Sequence, residues 1–167
     1  MIAVAPYSNR PLRRLLHEYK YNGVQEAREA VLGLFGSFLA CHVPLLESRR
    51  PQAVIAVPMH YLREAGRGFN QALELAAVTS GQLDLPCCAR GLGRRWSFRR
   101  QAEIEGQKER RRRNAAGTVY EREPLGHLGC VILVDDVVTT GATLSETASV
   151  LRRAGVREVH AVTFLRG

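Results

Sequence analysis

The sequence predicts an α/β fold with a central, mostly parallel sheet flanked by helices. The apolar run Val131-Ile132-Leu133-Val134 suits a strand covered on both faces, as strands of a parallel sheet are. Residues 144–154 then place Leu144, Ala148 and Leu151 on one helical face, and Gly155 supplies a stop. Residues 159–164 read as a second strand. Together these form a βαβ unit, whose crossover is expected to be right-handed. The chain has 167 residues, 46% of them hydrophobic and 24% charged. That is ordinary for a globular protein and long enough for a real core, so residues 1–167 are taken as one domain.

Met1-Ile2-Ala3-Val4-Ala5-Pro6 lacks the layout of a signal peptide. No apolar run is read as approaching the roughly 20 residues of a membrane span. A cytoplasmic protein is the expectation. Residues 11–21 predict a first helix, with Pro11 near its start and Leu12, Leu15, Leu16 and Tyr19 on one stripe. Gly23 ends it. Residues 25–41, rich in Ala and Leu, predict a longer helix before Pro44. Residues 53–57 predict a short buried strand, 70–80 a third helix and 87–92 a strand. Residues 117–120 predict a returning strand before a turn region at 124–129. No repeat or low-complexity linker interrupts this order. Cys41, Cys87, Cys88 and Cys130 show no Cys-x-x-Cys pair and no metal spacing. They read as buried free thiols.

The chemistry concentrates after the first clear run. Asp135 and Asp136 stand at the carboxyl end of the predicted strand, where ligands of such sheets sit. Val137 and Val138 lead into Thr139-Thr140-Gly141-Ala142-Thr143, a turn that opens the next helix. Unpaired N–H groups and the helix dipole favour an anion there. Thr139, Thr140 and Thr143 add hydroxyl donors, and Gly141 permits close backbone approach. Paired carboxylates can accept from the two hydroxyls of a ribose diol. A sugar phosphate needs this whole set at one spot.

A second loop, residues 58–70, follows the short strand and holds Met59, His60, Arg63, Arg67 and Gly68. Arginine presents a planar fork of donors suited to phosphate. The plain alternative is a surface loop with solvated arginines, and for His60 a structural hydrogen bond. A third feature is the basic run at 94–113. Nine basic residues stand there against Glu103, Glu105 and Glu109, which accounts for most of the chain's net charge of +8. Arg99, Arg100, Lys108, Arg110, Arg111 and Arg113 are its candidates for contact. Three readings stay open: a lid over a polyphosphate, a track for single-stranded nucleic acid with Trp96 and Phe98 stacking on bases, or a solvated charged helix.

These motifs carry a resemblance. Residues 131–143 resemble the phosphoribosyl-pyrophosphate (PRPP) motif of type I phosphoribosyltransferases. Tyr19-Lys20-Tyr21-Asn22-Gly23, Val57-Pro58-Met59-His60, Arg67-Gly68-Phe69-Asn70-Gln71 and Gln101 followed by Arg111-x-x-Asn114 fall in the order of the ComF family. The resemblance implies the type I phosphoribosyltransferase fold, with hood and lid elements at about 1–23 and 94–116. It implies PRPP or pyrophosphate as ligand, bound by residues 135–143 and by Met59, His60, Arg63, Arg67 and Gly68. Asp135 and Asp136 would be the catalytic pair, orienting the ribose and meeting Mg²⁺ through water and PRPP. The implied reaction is displacement at C1 of the ribose with release of pyrophosphate to an unknown acceptor.

The alternative it implies is an accessory role in DNA uptake, with single-stranded DNA or a competence helicase or recombination protein as partner. Lys20 lies in the family's Lys-Tyr pattern; it either faces the site or answers the dipole of the first helix. The chain also departs from family patterns. Phe98 stands three residues before Gln101 where a Thr is usual, and Val119 stands where an aromatic is common. Thr139 replaces the Asp typical of 6-oxopurine enzymes, which argues against hypoxanthine or guanine salvage. No glutamine-hydrolysing cysteine stands near the N-terminus, which argues against an amidotransferase half. The family's four-cysteine zinc ribbon is not in this sequence; either it was lost or the natural chain starts earlier.

Overall fold

A computed structural model describes residues 1–59, 68–95 and 118–167. Four strands form one parallel sheet in the order β1-β6-β5-β2: β1 is Ile2–Pro6, β2 Ala53–Ala56, β5 Cys130–Val138 and β6 Glu158–Arg166. Strands β3 (Leu92–Arg94) and β4 (Val119–Glu121) make a separate antiparallel pair. Among the described residues the α-helices are α1 (Arg10–His17), α2 (Gln25–Glu47), α3 (Gln71–Leu83) and α4 (Ala142–Ala154).

The sheet is the middle of three layers. Val54, Ala56, Ile132, Val134, Val162 and Phe164 point into one core with Leu16, Val31, Phe35, Leu39 and Leu75 from α1, α2 and α3. Ala53, Ile55, Val131 and Leu133 point the other way, against Val150 and Leu151 of α4 and against Leu92 and Val119 of the small hairpin. This explains why the β5 run does not alternate: both of its faces are covered.

Strand β1 corrects the N-terminal reading. Residues treated there only as lacking a leader form an edge strand, with Ile2 opposite Val162 and Ala5 opposite Leu165. Four consecutive aliphatics followed by Pro6 neither alternate nor run long enough to declare a strand without a partner. Helix α1 starts as expected: Asn9 accepts from the Leu12 N–H at 3.1 Å, with Pro11 in the first turn. It does not run on to Tyr21. Residues Glu18–Asn22 form a π-helical turn instead. Helix α2 passes through Pro44 to Glu47 rather than ending before it. Pro44 lies in the last turn, where the missing N–H removes a single bond near the helix end.

By length and composition, α2 alone would suffice to cross a membrane, so the reading that no apolar stretch nears that length is corrected. In the fold it lays Ala27, Val31, Phe35 and Leu39 into the core, and Leu34 and Leu45 stay exposed. Helix α3 is capped by Asn70, which accepts from the Ala72 N–H at 3.1 Å, and it runs past Ser80 to Leu83. The strand expected at 87–92 is reduced to one bridge between Val54 and Cys87, and β3 starts only at Leu92. The returning strand is β4, beginning at Val119. The cysteines are free, but only Cys130 is buried and Cys41 is exposed.

The βαβ unit is as expected in outline. Strand β5 runs on through both aspartates to Val138. Gly155 ends α4 in the left-handed region, and a Cβ there would meet Gly126 Cα at 3.2 Å. Glycine at both positions lets the turn after Leu125 pack against the end of the helix.

Candidate functional site

The site grows from the carboxyl edge of the sheet. Strands β2 and β5 are parallel, and the Val57 N–H donates to the Val134 carbonyl at 2.8 Å. The chain leaving β2 at Pro58 and Met59 and the chain leaving β5 after Val138 therefore exit at the same edge. Helix α4 begins there with Gly141 at φ 71° as its N-cap, a residue with no side chain to cap the first turn. Its leading N–H groups are thus presented by the fold to a ligand at that edge.

Asp135, Val137, Val138, Thr139, Thr140, Gly141, Ala142, Thr143 and Leu144 line one small cavity of about 60 Å³. It has room for a few waters or one small anion. The threonines at 139 and 140 are exposed at its rim, and the Thr140 hydroxyl takes a long contact of 3.4 Å from the Ala142 N–H. Of the residues expected to bind the sugar phosphate, eight therefore surround one cavity. Asp136 is the exception. Its side chain turns away to an ion pair, Lys20 Nζ to Asp136 Oδ2 at 2.6 Å.

The two aspartates sit in different surroundings. Asp135 is hemmed in by protein although part of the residue still reaches solvent. That crowding, with the neighbouring Asp136 charge, pushes its carboxyl upward to about 8. The Asp136 N–H, donating to Asp135 Oδ1 at 2.8 Å, pulls the other way, as do Lys20 and Arg94. A carboxyl that holds its proton near neutrality becomes a hydrogen-bond donor as well as an acceptor.

Lys20, whose place the sequence left open, lies against this aspartate pair and is carried by the π-turn. Tyr19, one residue earlier, is buried, stacks on Phe69 at 5.2 Å between ring centres, and donates its hydroxyl to Glu74 of α3. Burial and the Glu74 carboxylate push the Tyr19 phenol further above its usual range, so it stays a donor. Arg28 of α2 completes the knot with a 2.8 Å contact to Glu74. Phe69 closes the loop at 58–70, so this knot ties that loop's end to the turn carrying Lys20. The visible signal was Gly23 after a Lys-Tyr pair, which marks a helix end but not a change of helical pitch.

Met59 is half-buried, and Gly68 is exposed at φ 80°. His60, Arg63 and Arg67 lie outside the described residues, as do Arg99, Arg100, Lys108, Arg110, Arg111 and Arg113. Arg94 and Arg95 are described; Arg95 lies 4.9 Å from the centre of the Tyr120 ring. Where the chain returns from the basic run, Glu146 of α4 accepts from the backbone N–H of Thr118 at 2.6 Å and of Val119 at 3.0 Å.

The donors at this edge are carboxylate and hydroxyl oxygens, the set a hard cation such as Mg²⁺ takes. Asp135 favours its protonated form and Asp136 is held by Lys20, so they suit contact through water rather than a closed protein cage. Cys130, Glu158 and His160 bring ligand atoms within 4.8 Å of one another at the other end of β5 and β6. They come from two strands, so no sequence spacing shows them. Arg49, Arg50 and Arg157 line the adjoining cavity of about 630 Å³ and oppose a cation there.

A strand with two acids near its carboxyl end leads into a hydroxyl-rich loop at a helix start. The phosphoribosyl transferase domain model matches residues 53–167. The chain belongs to the phosphoribosyl transferase domain family, in its ComF branch. The branch follows from the relatives. Competence protein F of Haemophilus influenzae is 34% identical over 110 residues, 65% of this chain and 48% of that protein. The DNA utilization protein YhgH of Escherichia coli O157:H7 is 31% identical over 165 residues, 95% of this chain and 68% of that protein. This ComF-type chain thus spans about half the length of the first relative and two thirds of the second. The purine phosphoribosyltransferase of Pyrococcus horikoshii overlaps 79% of this chain and 83% of its own, at 16% identity and a TM-score of 0.49. The expected fold, a type I phosphoribosyltransferase fold with a mostly parallel central sheet flanked by helices, is the one the ComF-type chain adopts.

Proposed function

We propose that this protein binds PRPP with Mg²⁺ at the edge formed by β5 and α4 and transfers its ribose 5-phosphate to an acceptor, releasing pyrophosphate, in the cytoplasm. The observation that carries the reading is the cavity lined by Asp135 and residues 137–144, set against the start of α4. A phosphate monoester fits there, taking the first-turn N–H groups and the Thr139, Thr140 and Thr143 hydroxyls. The ribose hydroxyls then reach Asp135 and Asp136. Mg²⁺, when bound, offsets the charge of the pyrophosphate.

In the reaction, the bond between C1 and the pyrophosphate oxygen breaks and the bond to the acceptor forms, with the electron pair leaving on pyrophosphate. The chain's part is to hold the ribose in line and to stabilise the charge. His60, Arg63 and Arg67 are proposed for the leaving group, beside Met59 and Gly68. Arg99, Arg100, Lys108, Arg110, Arg111 and Arg113 are proposed to close over it.

Saturating Mg²⁺ and PRPP at about 100 times Kd should stabilise the fold by about 2.7 kcal/mol, or roughly 5–10 °C in Tm for a chain of this size. Asp135→Asn should abolish most of that gain. No shift with PRPP or with pyrophosphate, together with no effect of the variant, would refute the reading.

A second reading draws on the names of the relatives, one a competence protein and the other a DNA utilization protein, and on the net charge of +8. In it, the basic run holds single-stranded DNA or a partner of DNA uptake, and PRPP is sensed rather than consumed. Salt-dependent binding to an oligonucleotide is its test.

A further inference from the structure

We propose that Lys20 is a pyrophosphate-binding residue: it neutralises Asp136 while the site is empty and passes its ammonium to the pyrophosphate when PRPP enters. The inference rests on the PRPP reading above and names a contact that reading leaves out.

Lys20 and Asp136 meet at 2.6 Å with side chains only 15% and 13% exposed. They lie far apart in sequence, so the contact is made by the fold and not by local chain geometry. It occupies an oxygen of the very carboxylate that a ribose hydroxyl requires. The lysine and the ligand therefore share one carboxylate, which can accept from both while the ribose is seated. A lysine ammonium relocates easily, because it ends a flexible four-carbon stem and carries three donors. The backbone beneath it does not move so easily. Tyr19 is 1% exposed, stacked on Phe69 and bonded to Glu74, which Arg28 holds in turn.

The destination follows from the chemistry of the ligand. In PRPP the pyrophosphate is carried on C1, next to the C2 hydroxyl. A cation parked on the diol-binding carboxylate thus lies beside the leaving group once the ribose is seated. A π-turn at Glu18–Asn22 carries it; such turns are frequent at functional sites.

The experiment is a calorimetric titration of Mg²⁺·PRPP and, separately, of ribose 5-phosphate, into wild type, Lys20→Met and Lys20→Arg. Loss of a charged hydrogen bond to phosphate should weaken Mg²⁺·PRPP binding of Lys20→Met about tenfold or more. Ribose 5-phosphate lacks the pyrophosphate, so its affinity should stay within about threefold or rise as Asp136 is freed. Lys20→Arg should recover part of the PRPP affinity. If Lys20→Met does not fold, Lys20→Gln, polar but uncharged, carries the same expectation. Unchanged PRPP binding, or an equal loss for both ligands, would show a purely structural lysine and overturn the proposal. A wild type that binds neither ligand would instead remove the PRPP reading itself, and this contact with it.

Discussion

Asp135 and Asp136 are identical in sequence and unlike in behaviour. Asp135 is crowded by protein and next to a like charge, and its carboxyl is pushed up to about 8, against about 3.9 for a free Asp. A raised carboxyl makes the folded state hold a proton that the unfolded chain has lost. Stability contributed by the neutral form is therefore complete below about pH 4 and lost as pH rises toward 8. Wild type and Asp135→Asn, melted without Mg²⁺ between pH 5 and 9, should diverge: wild type loses Tm relative to the variant as pH rises. A difference that is flat, or that grows in favour of wild type, would contradict this account of Asp135. The aspartate pair was legible in the sequence because the strand and turn that position it are local. Its ion pair with Lys20 was not, since that depends on how a distant turn packs.

The elements tell the same story in larger units. Strand β5 was predicted from its unbroken apolar run and helix α4 from its apolar stripe and the stop at Gly155; β5 and β6 pair at eight positions. Strand β1 was missed because a short edge strand gains its hydrogen bonds from a partner at the far end of the chain. The π-turn was missed because helical spacing at Leu12, Leu15, Leu16 and Tyr19 does not distinguish a change of pitch after the last member. Helix α2 was cut short at Pro44 because the rule that proline ends helices applies to interiors and not to a last turn.

Helix α4 does two tasks. Its start lines the small cavity beside Asp135, and Glu146 one turn later receives two backbone N–H groups of the chain returning into β4. Glu146→Ala leaves those donors without their acceptor, at a cost of about 1–3 kcal/mol. Hydrogen exchange at Thr118 and Val119 should speed up while exchange in β5 and β6 falls only with global stability. Equal acceleration everywhere would mean that Glu146 supports the fold generally and does not specifically anchor the hairpin.

The assembled fold sets a small cavity, lined by consecutive residues, at the edge of a sheet buried between two layers, in a chain of net charge +8. If the basic run tracks nucleic acid, affinity for a single-stranded oligonucleotide should fall steeply with salt. Each phosphate contact contributes about 0.7 to the log–log slope, so neutralising Arg110, Arg111, Arg112 and Arg113 should lower that slope by up to about 3. No binding at low salt would leave the run as a lid or a solvated surface.

The central claim concerns the cavity at the start of α4, and locating PRPP on the protein bears on it most directly. A crystal structure grown with saturating PRPP and Mg²⁺ should show the 5-phosphate within residues 137–144, the ribose hydroxyls on Asp135 and Asp136, and Lys20 moved off Asp136 toward the pyrophosphate. An empty cavity with Lys20 still on Asp136, or PRPP seated elsewhere, would contradict the account.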